Sequence, residues 1–142
     1  MVQSSGVNVI ARGKTTPLSV AELRALTRVE VRVSDEGDSA TLSGPLLWDV
    51  LQKVSATSAQ ASGRQRASSY VKVTGGDGIS AVIALVEIDP SFSKRTVIIA
   101  DQRNGKPLDA VEGPWRVIVP DDIRHARWIR NLKSVTVDTV RR

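Results

Sequence analysis

The chain of 142 residues contains no cysteine. That excludes disulfide frameworks, thiolate zinc centres, iron–sulfur clusters and a cysteine nucleophile, and it leaves the redox compartment open. There is one histidine, His125, so a metal site built on two or three imidazoles is excluded. A Ser/His/Asp triad would have to use that same imidazole, and no nucleophile-elbow motif accompanies it. Aromatic residues make up only 4% of the chain, without basic–aromatic interleaving, and neither a helix-turn-helix nor a zinc module is visible. A nucleic-acid partner is therefore not expected. No apolar run approaches the ~18 residues of a membrane span. The first residues, Met1 to Gly6, lack a basic stretch followed by an apolar one, so the chain reads either as cytosolic or as one whose export signal preceded this numbering.

What is present suits one domain over residues 1–142: 41% of the residues are hydrophobic, enough for a core of ordinary size. The net charge of +5 is uneven. Residues 113–142 carry seven basic and three acidic side chains, against 13 and 12 in the rest. A localised cationic segment favours a small anionic ligand or an anionic partner surface; a solvated face with spare arginines accounts for it equally well.

Val7 to Ala11 predicts a short strand, and Ser19-Val20-Ala21-Glu22 is a capping box that opens a helix through about Leu26. Val29, Val31 and Val33 alternate with Glu30 and Arg32, and Asp35-Glu36-Gly37-Asp38 turns that strand back into Ala40-Thr41-Leu42. Ser43-Gly44-Pro45 breaks the strand ahead of an amphipathic helix marked by Leu47, Val50, Leu51 and Val54, with Trp48 beside them. Residues 55–69 have no apolar periodicity and read as a surface loop. Tyr70 to Val73 and Ile79 to Ala84 form a hairpin across Gly75-Gly76-Asp77-Gly78, and Leu85 to Ile88 a single turn. Thr96 to Ala100 is a β-branched strand, Asn104-Gly105 a tight turn, and Trp115 to Val119 a strand ended by Pro120. Asp121-Asp122 caps a helical turn through His125 and Trp128. Val135, Val137 and Val140 close the chain as a strand, with a loose Arg141-Arg142 tail. Seven or eight strands and two or three short helices, without regular βαβ alternation, predict an α+β, mostly β domain.

Chemistry-bearing constellations are few. Gly75 to Gly78 has neither the Rossmann nor the P-loop spacing and joins two strands, so it reads as a hairpin turn. Asp35-Glu36-Asp38 and Asp121-Asp122 read as turn and cap residues, and Trp48, Trp115 and Trp128 as core. The densest candidate is the run from Asp121 to Arg130. Arg124, Arg127 and His125 could bind phosphate through charge-assisted hydrogen bonds over Trp128; the same arginines could instead pair with Asp121 and Asp122 on an exposed turn.

Five pieces of the sequence, in order, resemble the oxidoreductase molybdopterin-binding domain of sulfite-oxidase-like proteins. They are Thr41 to Leu51; Asp77-Gly78-Ile79; Ile99-Ala100-Asp101 with Gly105-Lys106-Pro107-Leu108; Glu112 to Pro120; and Arg124 to Arg130 before the last strand. The resemblance is strongest over residues 40–140. It implies a sulfite-oxidase-like fold with mixed sheets and a few short helices. It also implies molybdopterin as the cofactor, a periplasmic or secreted location, and Arg124, His125 and Arg127 as pterin or phosphate contacts, with Trp128 as packing.

In catalytic members of that family a cysteine sulfur holds molybdenum, and here there is none, so no thiolate-ligated metal is expected. Ser34 and Asp35 stand near a strand end, and nothing further marks them as replacements. The expected function is binding of a pterin or another phosphate-bearing anion without autonomous molybdenum catalysis. The alternatives are an active molybdopterin-dependent oxidoreductase acting on a small oxyanion, and a module whose basic face docks a protein partner.

Overall fold

A computed structural model describes residues 6–60 and 62–140. The terminal Arg141-Arg142 and the first five residues lie outside them. The strands are β1 (Val7–Ala11), β2 (Lys14–Leu18), β3 (Arg28–Asp35), β4 (Asp38–Pro45), β5 (Ser69–Gly75), β6 (Ser80–Ala84), β7 (Ile98–Ala100), β8 (Gln102–Arg103), β9 (Lys106–Pro107), β10 (Arg116–Ile118) and β11 (Leu132–Thr139). The helices are short: α1 (Val20–Arg24), α2 (Leu47–Lys53), α3 (Gly63–Ala67) and α4 (Leu85–Ile88). The fold is α+β and mostly β, as the sequence predicts, and no described helix is long and apolar enough to cross a membrane.

The strands make three sheets. One has the order β2-β1-β11-β5-β6 and is mixed, because β1 runs parallel to β11 while every other pair in it is antiparallel. A second, antiparallel sheet has the order β3-β4-β8-β9, and β7 pairs with β10 in the third. The core takes Val7 and Val9 of β1, Val71 and Val73 of β5, Leu47, Val50 and Leu51 of α2, and all of Ile98 to Ala100. Alternate residues of β1 and β5 therefore face inward, which is the period-2 pattern seen in the sequence.

Several elements depart from expectation, each for a physical reason. β2 was not anticipated because it contains Pro17. The strand lies at a sheet edge and is joined to β1 by the two-residue Arg12-Gly13 turn, which puts the proline nitrogen on the outward side, where no ladder bond is lost. β4 does not break at Ser43-Gly44-Pro45 but runs through it. Gly44 is there for close approach: a Cβ on it would lie 2.0 Å from the Ile99 carbonyl oxygen of β7. The 55–69 segment contains α3, whose capping box joins Ser62 and Gln65; this helix escapes periodicity because none of the residues Gly63–Ala67 is buried. Within the same segment Ala56, Thr57 and Gln60 are buried.

No helix follows Asp121-Asp122. Residues 121–131 form turns instead, closed by local bonds from Asp122 N–H to Val119 O and from Trp128 N–H to His125 O, and the segment is pinned to the β10 strand. The Val117 N–H donates to Ile129 O, and the Trp128 indole N–H donates to Val119 O. The last strand ends at Thr139, one residue before Val140.

Candidate functional site

Trp115, Val117, Ile118 and Val119 are core residues, and Arg116 sits among them at 3% exposure. A guanidinium cannot stay ionised there without partners. It donates to Glu112 Oε2 at 2.6 Å, to Asp35 Oδ2 at 3.1 Å and, through Nε, to the Trp128 carbonyl at 3.2 Å. It also lies 5.5 Å from the centre of the Trp128 ring, within cation–π range.

Arg103 approaches the same carboxylates from β8. Its Nη2 bonds Asp35 Oδ2 at 2.7 Å and also reaches Glu112 Oε2, and its Nε donates to Glu112 Oε1 at 3.0 Å. The other Asp35 oxygen lies 3.3 Å from His125 Nδ1, and the His125 ring stacks flat on Trp128 with centroids 3.4 Å apart. Two carboxylates, two guanidiniums and one imidazole thus form one network. It ties the β3–β4 hairpin tip to β8, β10 and the 121–131 turns.

Burial opposes ionisation of Asp35. The Arg103 hydrogen bond, the Arg116 charge and the bonds from Arg116 and His125 outweigh it and hold the carboxyl below its ordinary range. The same balance holds Glu112 down, with Arg103 and Arg116 overcoming desolvation. In return Arg103 is more strongly protonated than a free arginine, first through Glu112 and then, against burial, through Asp35.

The network borders two cavities that share Asp35, Glu36, Arg116 and Arg130. One, of about 390 Å³, is also lined by Asp77, His125 and Trp128; the other, of about 410 Å³, opens onto Arg103, Asp109 and Glu112. The exposed Arg130–Glu36 pair, at 3.0 Å, stands between them.

The three residues nominated from the sequence separate. His125 lines the first cavity. Arg124 is exposed and bonds to no described residue. Arg127 turns away and grips Asp122 at 2.8 and 2.9 Å and Glu87 at 3.1 and 3.2 Å, with a further bond to the Val82 carbonyl on β6. Arg127 holds Asp122 below the ordinary carboxylate range, and Glu87 is held down as well, against its burial, by its bonds from Arg127 and Ala84. The sequence alternative, an arginine paired with the Asp121-Asp122 turn, thus describes Arg127.

Asp35, Arg103, Glu112 and Arg116 were missed as site residues. The available signal was Arg116 itself, a charge inside the apolar run Trp115 to Val119, which demands a buried counter-ion. Trp115 and Trp128 are buried as expected, and Trp48 is partly so.

This donor set can be tested against a molybdenum cofactor. The thiolate-held metal does not fit: the chain has no thiol, and both oxygens of Asp35 are engaged by arginine or histidine. The organic part fits better. A flat heterocycle with N–H and carbonyl groups on one edge needs both acceptors and donors, and the first cavity offers Glu36 and Asp77 beside Arg130 and His125.

No curated protein matches the chain at a significant level. Among solved structures it is similar to the sulfane dehydrogenase SoxCD from Paracoccus pantotrophus, with a TM-score of 0.68 and 12% identity over 94% of this chain. That likeness concerns the fold, and the chain spans only 38% of the SoxCD chain. A family model for the oxidoreductase molybdopterin binding domain matches residues 35–141, from the buried Asp35 through the whole network to the last strand. By that match over most of its length, the chain belongs to the oxidoreductase molybdopterin binding domain family.

Proposed function

We propose that this domain binds a pterin-type ligand in the cavity between the β3–β4 hairpin tip and the 121–131 turns, without molybdenum redox chemistry of its own. The observation that carries the reading is the convergence of carboxylates, guanidiniums and a stacked imidazole on one cavity of about 390 Å³. Its size lies in the range of small-molecule sites. A pterin edge presents an amino group and a ring N–H that a carboxylate can accept together, and a carbonyl that Arg130 or His125 can engage. The unpaired Arg124, next in sequence to His125, supplies charge for a phosphate-bearing tail. Arg127 supports the segment through Asp122 and Glu87 rather than contacting ligand.

The test is production in a host that makes the molybdenum cofactor, followed by acid extraction and by thermal unfolding with added pterin and with added inorganic phosphate. Stoichiometric pterin in the extract, or a rise in Tm with pterin, is expected; saturation at 100 times Kd corresponds to about 2.7 kcal/mol. His125→Ala and Arg124→Ala should each reduce the response. An extract free of pterin together with an unchanged Tm for both probes overturns the proposal. Stoichiometric molybdenum in the purified protein would overturn its second half.

A further inference from the structure

Open sheet edges invite pairing with another chain, and folded proteins usually blunt them. Three edges here are blunted. β2 carries Pro17 on its outward side, β9 has two residues, and on β6 the Val82 carbonyl accepts from Arg127 while the Ala84 N–H donates to Glu87. β3 is different. It is eight residues long, ends its sheet, and carries neither a proline nor, among the described residues, a side chain bonded to its main chain; its exposed charges, Glu30 and Arg32, are of opposite sign.

Its hydrogen-bonding parity is fixed by the hairpin. The two-residue turn Glu36-Gly37, with φ of 52° and 87°, makes Asp35 and Asp38 a hydrogen-bonded pair, so Asp35, Val33, Val31 and Val29 direct their amides to β4. β4 agrees, since the carbonyls of Ser43 and Thr41 point the other way, to Asp101 and Asn104. The main-chain groups of Arg28, Glu30, Arg32 and Ser34 therefore face the free edge. The Glu30 and Arg32 side chains are exposed and bond to no described residue.

We infer that β3 pairs antiparallel with β3 of a second copy about a two-fold axis through Val31. Only registers that match outward residues with outward residues can form, which places the axis on a residue position. An axis on Glu30 would set Glu30 against its copy and Arg28 against Arg32, and an axis on Arg32 would set two arginines face to face. An axis on Val31 places Glu30 opposite Arg32 of the second copy twice, Val29 opposite Val33, and Ser34 opposite Arg28. Arg28 is already held by Asp101 and Ser43, so it adds no repulsion. The two four-stranded sheets join into one of eight, and the partly exposed Val29 and Val31 gain an apolar cross-strand neighbour on one flank. So narrow an interface makes a weak, reversible dimer.

Sedimentation equilibrium of the purified chain at low salt tests this. Concentration-dependent dimer is expected, and Glu30→Arg or Arg32→Glu should each weaken it by about tenfold or more by turning two attractions into two repulsions. The double exchange E30R/R32E should restore it, while circular dichroism shows all three folded. Val31→Cys supplies the only thiol in the chain and lies in a non-hydrogen-bonded pair about 4.5 Å apart, so it should oxidise to a covalent dimer. A chain that stays monomeric throughout overturns the inference. So does a dimer that ignores both single charge reversals, which would place the contact on another surface.

Discussion

Replacing Arg116 with methionine keeps much of the side chain's length but leaves Asp35 and Glu112 with Arg103 as their remaining guanidinium. Breaking a buried ion pair by removing one partner costs about 3–5 kcal/mol, most of it from the stranded charge. R116M is therefore expected to lower the urea midpoint strongly, and R116M combined with Glu112→Gln to recover part of the loss. An additive double variant would show that the two residues do not act as a pair. Arg127 makes the contrasting case, because its partners lie nearer the surface and solvent screens them. At this scale the site was half legible in the sequence. His125 and Trp128 could be read from the dense Arg-His run. The Asp35–Arg116 bond joins residues 81 positions apart, and no local pattern encodes such a contact.

Among the elements, β4 depends on one glycine. A methyl group on Gly44 would meet the Ile99 carbonyl at 2.0 Å and the Ala100 Cα at 2.9 Å, and main-chain atoms cannot step aside as a flexible side chain can. Gly44→Ala is expected to cost about 3 kcal/mol by forcing β4 and β7 apart, read as a fall in Tm by circular dichroism. Gly44 belongs to the stretch that carried the family resemblance, and its role in that stretch is interstrand distance rather than strand termination. Elements with local chemistry were readable: the Ser19–Glu22 capping box and the turns at Glu36-Gly37, Asp77-Gly78 and Asn104-Gly105 all form where expected. Those shaped by tertiary contact were not. Pro17 disguised β2, the lack of a buried face disguised α3, and turns pinned to β10 by the bonds of Trp128 and Val117 stand where a helix was expected after Asp122.

For the molecule as a whole, acid is the informative stress. Asp35, Glu87, Glu112 and Asp122 all have carboxyls held below their ordinary range in the folded state. Each binds protons more readily once unfolded, so its contribution is complete above the unfolded value, about 4, and is lost as pH falls through the lower folded value. The urea midpoint should therefore vary little with these groups between about pH 7 and 5 and fall steeply below pH 4. Asp35→Asn combined with Glu112→Gln should start lower and fall less steeply. An equal acid slope in that variant would place the sensitivity in other carboxylates.

The flat contact between His125 and Trp128 has a spectroscopic consequence. Indole emission responds to whatever touches the ring, and an imidazole that is drawn aside by a ligand alters that emission directly. Trp115 is sealed in the core and Trp48 lies outside both cavities of the network, so they provide a steadier background. The cavity thus carries its own optical probe, and occupancy can be followed by light without attaching a label.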